Sequence, residues 1–198
     1  MNPDHVHDFM AILARNSIRS VIVGGAAVRR SYPSESQDVD ALVMTKQYGA
    51  AVRALDKDPS VVSFSHERNQ MATGHFHTRY RLVRFDLLDP TAFAGTSAGD
   101  DFFDYVARHG SVLTEDGRMA KVAVVWYMRL VIEGDSWTAQ VGKILRDLRA
   151  GVPWETTSGV RRIARRFGVG QRVDQRLLTV EDAARLAGLL PSKGRTSV

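Results

Sequence analysis

Two aspartates one residue apart are the most chemically suggestive feature of this chain of 198 residues. Asp38 and Asp40 open the run DVDALV, and on a strand both side chains point to one side of the sheet, about 6 to 7 Å apart. That separation suits carboxylates that share one or two hard cations such as Mg²⁺, which completes its shell with water and phosphate. A third carboxylate, Asp86, lies between Phe85 and Leu87, where burial without a cation would be costly.

Two glycines precede the acidic pair in the segment VIVGGAAVRRSYPSESQDVDALV, residues 21 to 43. Gly24 and Gly25 end an apolar run at the start of helix-forming sequence, so a phosphate can approach the backbone N–H groups there. Ser36 adds a hydroxyl donor to the connecting segment. If these residues have no catalytic or binding role, Gly24 and Gly25 form an ordinary turn, and Asp38 and Asp40 lie on a solvated strand edge. For the third carboxylate, Asp89 is an alternative to Asp86.

The elements that must position these residues follow from the hydrophobic pattern. Apolar residues at helical spacing predict one helix over 3 to 15 and another that begins at Thr45. Short β-rich runs predict strands over 17 to 23, 38 to 44 and 61 to 65. Residues 73 to 90 form a long β-rich run broken only at its end, which predicts a single fourth strand. A loop over 91 to 100 then precedes a hairpin over 111 to 125, with Asp116 and Gly117 at its turn.

The second half of the chain has helical periodicity, with helices predicted over 126 to 132, 139 to 148, 160 to 167 and 179 to 190. We therefore expect an α+β protein in which helices flank a mixed β-sheet. Its predicted parts are a catalytic core over 1 to 125, a helical C-terminal part over 126 to 190 and a flexible tail over 191 to 198.

Composition limits the partners and the chemistry. The formal net charge is +5 and most of the basic residues are arginine, whose guanidinium matches phosphate geometry. The chain has no cysteine, which excludes disulfides, thiolate metal sites and cysteine nucleophiles. No apolar run is long enough to span a bilayer, and the N-terminus lacks the pattern of a signal peptide. We therefore expect a cytoplasmic protein without a membrane partner.

The order of the motifs, Gly24-Gly25, then Asp38-x-Asp40, then Asp86 within an apolar strand, resembles the nucleotidyltransferase superfamily related to polymerase β. The resemblance implies a nucleotidyltransferase-like mixed sheet that binds an NTP and two Mg²⁺ ions. It implies that Asp38 and Asp40 hold the metals and the triphosphate, while Asp86, also a metal ligand, activates an acceptor hydroxyl. Pyrophosphate would leave and NMP would be transferred.

A looser similarity extends over residues 114 to 148, which resemble the corresponding segment of AbiEii-like nucleotidyltransferases, including the MenT-type toxins. The resemblance implies a basic nucleotide contact from the helical half. Arg129 stands where many relatives have lysine, so Lys143, followed by Asp147, is the preferred triphosphate contact. It also implies transfer of NMP, with CTP as a candidate donor, to tRNA 3′ ends by the toxin of a toxin-antitoxin system, with an antitoxin protein as a partner. Arg129 and Asp147 are equally consistent with a helix ion pair.

Three arginines of one predicted helix, Arg162, Arg165 and Arg166, share a face by their spacing and are candidates for binding RNA phosphates. The alternative is a solvated helix face. Two other functions remain open: a nucleotidyltransferase that modifies a protein or an antibiotic, and a catalytically silent module that binds RNA or a nucleotide. The basic composition disfavours a cationic drug, and the intact set of three aspartates disfavours a silent site.

Overall fold

The structure is a computed structural model that describes residues 4–33, 38–67, 71–78, 81–133 and 136–191. Seven strands form one mixed sheet flanked by helices, which confirms the predicted α+β class. The strands are β1 (Ser20–Val23), β2 (Val39–Val43), β3 (Val61–Glu67), β4 (Met71–His77), β5 (Leu82–Leu88), β6 (Ser111–Thr114) and β7 (Gly117–Ala120). The α-helices are α1 (Asp4–Arg15), α2 (Gly24–Arg29), α3 (Thr45–Lys57), α4 (Gly99–Arg108), α5 (Val122–Val131), α6 (Ser136–Arg149), α7 (Thr156–Arg166) and α8 (Gly170–Leu186), and Pro90–Phe93 form a 3₁₀ helix.

The strands lie in the order β3-β4-β5-β2-β1-β7-β6. β2 is central, antiparallel to β1 and parallel to β5, while β1 also pairs in parallel with β7. Both β1 and β2 are buried along most of their length, as expected for apolar strands that are covered on both faces. The position of β2, and of the acidic residues at its start, is therefore fixed by the core.

One hydrophobic core joins the sheet to the helical second half. The Phe9 ring of α1 lies 5.4 Å from the Phe76 ring and 5.0 Å from the Phe85 ring, so α1 covers one face of β4 and β5. Phe102 of α4 meets Phe167, directly after α7, edge-on at 5.1 Å. The predicted boundary between residues 125 and 126 falls inside α5. None of the helices in the described part of the chain is both long and apolar enough to cross a membrane.

The prediction of one long strand over 73 to 90 is wrong, because two antiparallel strands, β4 and β5, occupy most of this region. His77 pairs with Leu82, and Thr78 closes the connection by two hydrogen bonds to the Arg81 carbonyl and one from the Arg81 amide. The connecting sequence has no glycine, proline or asparagine, so nothing in its composition interrupts the β-rich pattern.

The predicted loop over 91 to 100 is also wrong in part, since a 3₁₀ helix opens it and α4 begins at Gly99. Two acidic residues, Asp100 and Asp101, favour the first turn of α4, and Phe102, Phe103 and Val106 are buried. The predicted hairpin is confirmed as β6 and β7, but its second strand ends at Ala120 because α5 begins at Val122. Valines at 122, 124 and 125 have high β-propensity, and tertiary packing makes them helical.

Candidate active site

Asp40 and Asp86 lie next to each other on the sheet. Asp40 is directly opposite Asp86 in the parallel pairing of β2 with β5, so both side chains are on the same face. Their buried neighbours Val39 and Phe85 form the preceding pair and point into the core. Two carboxylates that are far apart in sequence are thus one strand spacing, about 4.8 Å, apart along the hydrogen-bonding direction.

Gly24 lies directly against the Asp40 carboxylate. β1 ends at Val23, which pairs with Asp40, and the chain then turns through Gly24 with a φ of +64°. A Cβ atom on Gly24 would lie 1.7 Å from Asp40 Oδ2, which is far inside contact distance. Gly25 follows as a buried residue of α2. Only a glycine at position 24 allows both this backbone conformation and this close approach to the carboxylate.

The positive charges around Asp40 do not fully compensate for burial and for the neighbouring carboxylates. Burial raises the pKa of Asp40 to about 7, and the charges of Asp86 and Asp38 act in the same direction. Lys143 and Arg129 oppose this shift without cancelling it. The carboxylates therefore repel one another, and a cation bound between them would relieve that repulsion.

The donor set fits a hard divalent cation. Asp40 and Asp86 provide carboxylate oxygens, which suit Mg²⁺. Among the residues that the structure describes, no three His, Asp or Glu side chains are gathered closely enough to hold a metal ion by themselves. A cation on Asp40 and Asp86 would therefore take further ligands from water, from substrate phosphate or from a rotated Asp38.

The other two strand aspartates have different surroundings. Asp38 directly precedes β2 and is half-buried, and its charge adds to the effects of burial and of Asp86 in raising the pKa of Asp40. Asp89, the alternative to Asp86, is buried and caps the 3₁₀ helix by accepting hydrogen bonds from Thr91 N at 2.8 Å and Thr45 Oγ1 at 2.9 Å. Asp89 is thus fully used in holding the backbone, and Asp86 is the carboxylate beside Asp40.

The helical half contributes two cations near Asp40 in different ways. Lys143 is exposed on α6, and its charge reaches Asp40. Arg129 is buried on α5 and forms an ion pair with Asp147, which also accepts a hydrogen bond from Trp126 Nε1 at 2.8 Å. Lys143 is thus open to solvent, whereas Arg129 and Asp147 form a buried pair.

Three of the four arginines of α7 are exposed, namely Arg162, Arg165 and Arg166, and none of these three contacts the carboxylates among the described interactions. The guanidinium of Arg166 lies 5.2 Å from the centre of the Tyr105 ring on α4. Asp104, next to Tyr105 in sequence, forms an ion pair with Arg19 at 3.3 Å. Arg19 directly precedes the first residue of β1, whereas Asp40 pairs with the last residue of β1. Arg166 is therefore nearer to the other end of β1, and Arg162 and Arg165 are exposed on the same helix.

Ser36 lies outside the described residues. Sequence reasoning assigned no role to Arg84, although the alternation of β5 places it on the same face as Asp86. Arg84 Nη2 lies 3.3 and 3.4 Å from the two carboxylate oxygens of Asp86, and Arg84 Nε donates to Thr73 Oγ1 at 3.4 Å. The i, i+2 spacing on the strand is the signal that indicates this contact.

Comparison with known proteins finds no matching family model and no matching curated protein. Similar solved structures include an antigenic nucleotidyltransferase-like protein from Paracoccidioides brasiliensis, at 12% identity and a TM-score of 0.48, with 86% of this chain and 91% of that chain covered. A putative nucleotidyltransferase from H. pylori is 11% identical, with a TM-score of 0.43 and coverage of 81% and 76%. The antibiotic-resistance factor ANT(2'')-Ia is 15% identical, with a TM-score of 0.43 and coverage of 96% of both chains.

Proposed function

We propose that the protein is a Mg²⁺-dependent nucleotidyltransferase that moves NMP from an NTP to an acceptor hydroxyl and releases pyrophosphate. The observation that carries the proposal is the pair Asp40 and Asp86, held side by side on β2 and β5 with the Gly24 backbone against one of them. Burial and the charge of Asp86 raise the pKa of Asp40, so the ionised Asp40 carboxylate is destabilising unless it binds a cation or a proton. The position of the pair beside a backbone that only glycine permits fits a site for a metal-bound phosphate.

The residues divide the work of the proposed reaction. Asp38, Asp40 and Asp86 would hold Mg²⁺, with two ions as the expected number, and the bound metal would supply stabilisation of the negative charge that develops during transfer. Gly24 lets the backbone lie against the Asp40 carboxylate, and the N–H groups of Gly24 and Gly25 are the proposed donors to the triphosphate. Lys143 contacts the phosphates from the exposed side of α6. An Asp86 carboxylate oxygen accepts the proton of the acceptor hydroxyl. The hydroxyl oxygen then attacks the α-phosphorus, and pyrophosphate leaves.

Arg129 and Asp147 are proposed to act on the site from a distance, without touching the nucleotide. The buried ion pair fixes Arg129 on α5, from which its charge lowers the pKa of Asp40. Asp147 in turn holds Arg129 and the Trp126 indole in one arrangement. The pair therefore acts on the nucleotide through the electrostatic potential at the carboxylates.

The proposed acceptor is the 3′ hydroxyl of a tRNA, and the proposed biological role is that of a toxin with an antitoxin partner. The net charge of +5 and the exposed Arg162, Arg165 and Arg166 support a phosphate-rich acceptor. The role as a toxin, and CTP as donor, rest on the resemblance of residues 114 to 148 to AbiEii-like and MenT-type proteins.

The test is incubation of the purified protein with each α-labelled NTP, Mg²⁺ and total tRNA, followed by separation of RNA, protein and small molecules. We expect label on RNA, and a loss of about 10³-fold or more in the Asp40→Asn and Asp86→Asn variants, because each removes a metal-binding charge without changing side-chain size. Asp101→Asn, which neutralises an exposed carboxylate on α4, is the matched control and should keep its activity.

The distribution of the label distinguishes the alternatives. Label on protein, or on an added aminoglycoside, would support nucleotidyl transfer but show that the acceptor is not RNA. Binding of RNA or NTP without label on any fraction would indicate the catalytically silent module. Activity that survives Asp40→Asn and Asp86→Asn would contradict the proposed site.

A further inference from the structure

The face of the sheet that continues outward from Asp86 has polar side chains at its middle, while the apolar Leu82 and Leu88 lie at the two ends of β5 on the same face. Along β4 and β5 the buried positions alternate with partly or fully exposed ones, and the buried set packs toward α1. The opposite set faces away from α1. We call this surface the sheet platform and define it by Ser63, Ser65, Thr73, His75, Arg84 and Asp86.

Strand register arranges the sheet platform in two rows. Asp86 is opposite Thr73, which is opposite Ser65, and these three form the first row. Arg84, His75 and Ser63 form the second row. Both rows run from β5 to β3 at the sheet edge, which is two strand spacings or about 10 Å away. The platform therefore begins at the carboxylate that is proposed to activate the acceptor hydroxyl.

The groups on the sheet platform suit a phosphate-bearing chain. The Arg84 guanidinium contacts both Asp86 oxygens while its side chain stays 48% exposed, so it links the carboxylate to the open surface. His75 Nδ1 and Ser63 Oγ are hydrogen bonded at 3.0 Å, which fixes the imidazole on the platform. Guanidinium, imidazole and hydroxyl groups are donors for phosphate and sugar oxygens, and Asp86 is the only carboxylate among the six platform residues.

We propose that the sheet platform binds the acceptor as a single-stranded RNA end, with Arg84 on a backbone phosphate and the terminal hydroxyl beside Asp86. This deepens the proposed function and rests on it for the role of Asp86, while RNA binding to the platform can be measured without any transfer. In this arrangement Arg84 is an acceptor-positioning residue, and the α7 arginines contact RNA farther from its end.

The direct test is the binding of a 5′-fluorescein-labelled single-stranded RNA of about eight nucleotides, followed by anisotropy over a range of salt, without NTP or Mg²⁺. We expect Arg84→Ala to weaken binding about 5- to 10-fold and to lower the slope of log affinity against log salt by about 0.7, because one phosphate contact is lost. Arg84→Lys should keep the slope. Arg53→Ala removes an exposed arginine on α3, which packs with α1 on the covered side of the sheet, and should change neither value.

A second pair of variants leaves the Arg84 contact with Asp86 intact. Ser65 is exposed on β3 in the same row as Asp86, so its side chain can be replaced without disturbing the core. Ser65→Lys should tighten RNA binding and raise the salt slope, whereas Ser65→Glu should weaken binding. Thermal unfolding should confirm that both variants are folded. In transfer assays, Arg84→Ala should raise the KM for RNA and leave the KM for NTP unchanged.

The outcomes separate this inference from the proposed function. The sheet platform would be overturned as the acceptor site if Arg84→Ala and both Ser65 variants left the RNA affinity unchanged, while replacement of Arg162, Arg165 and Arg166 by alanine abolished RNA binding. Failure of the RNA to bind at all would also overturn it and favour a protein or small-molecule acceptor. RNA binding with the expected variant effects, but without any NMP transfer, would support the platform and contradict the proposed reaction.

Discussion

Two buried or half-buried carboxylates, Asp147 and Asp40, belong to the same core but have opposite surroundings. Asp147 is 5% exposed, forms an ion pair with Arg129 and accepts a hydrogen bond from the Trp126 indole. Asp40 is opposite another carboxylate, Asp86, and its pKa is raised to about 7. The charge of Asp147 is thus balanced within the fold, whereas the charge of Asp40 is not.

This difference separates a structural carboxylate from a binding one. A buried ion pair with all its hydrogen bonds in place is costly to break, because removing one partner leaves the other charge uncompensated. Carboxylates that face each other have the reverse property, because they destabilise the fold until a cation or a proton arrives. Asp147 therefore contributes mainly to the arrangement of α5 and α6, whereas Asp40 has an uncompensated charge that the proposed cation would balance.

The largest expected effect is on stability, at Asp147. Asp147→Ala should lower the free energy of unfolding by about 3 to 5 kcal/mol, because it leaves Arg129 buried without its partner and the Trp126 N–H without an acceptor. Urea unfolding followed by circular dichroism measures this. Asp40→Ala is the matched variant, and without metal it should be at least as stable as the wild type. Equal losses in both variants would remove the distinction between the two sites.

The next effect is on activity and concerns Gly24. Gly24→Ala places a Cβ atom on the Asp40 carboxylate, so the carboxylate must move by an ångström or more, and we expect about 100-fold lower transfer activity. Gly188→Ala is a matched control because Gly188 has a φ of +69° and no atom within 4 Å of its added Cβ. It should share the backbone strain of Gly24→Ala but keep its activity. If the two variants lose activity equally, the close approach at Asp40 has no functional role.

Much of the local structure around Asp40 can be predicted from sequence, because short-range patterns determine it. The apolar run before Gly24 and the Asp38-x-Asp40 spacing predict a strand, a turn and an acidic strand, and the structure has them. Which carboxylate accompanies Asp40 depends on the pairing of β2 with β5, a contact between residues more than 40 positions apart. Sequence alone left Asp89 as an alternative, and only the fold shows it as the cap of the 3₁₀ helix.

The features that sequence reasoning missed depend on tertiary context. Side-chain and backbone hydrogen bonds between Thr78 and Arg81 join the ends of β4 and β5 within an unbroken β-rich composition. Without the antiparallel pairing of β4 with β5, the sheet platform does not exist. The contact of Arg84 with Asp86 follows from the alternation of β5, but its relation to His75 and Ser63 requires the register of three strands.

The smallest expected effect is a pH-dependent change in stability at Asp40. Because the pKa of Asp40 is raised in the folded protein, folding is weakened as the carboxylate loses its proton. The destabilisation is small near pH 4, grows as the pH rises and is complete above about pH 7. Asp40→Asn removes the charge, so the variant should be more stable than the metal-free wild type at pH 8. We expect a difference of only about 1 to 2 kcal/mol, because solvent screens the charge of this half-buried side chain.

Thermal unfolding in EDTA at pH 4 to 8 measures the difference between wild type and Asp40→Asn, which should increase with pH. Added Mg²⁺ should then stabilise the wild type at pH 8 and have little effect on Asp40→Asn, because ligand binding to the folded state shifts the unfolding equilibrium. Asp147→Asn keeps Asp40 and Asp86, so Mg²⁺ should stabilise this variant as it does the wild type, although the loss of the Arg129 ion pair lowers its starting stability. A difference that stays constant with pH would mean that Asp40 is compensated within the fold, as Asp147 is.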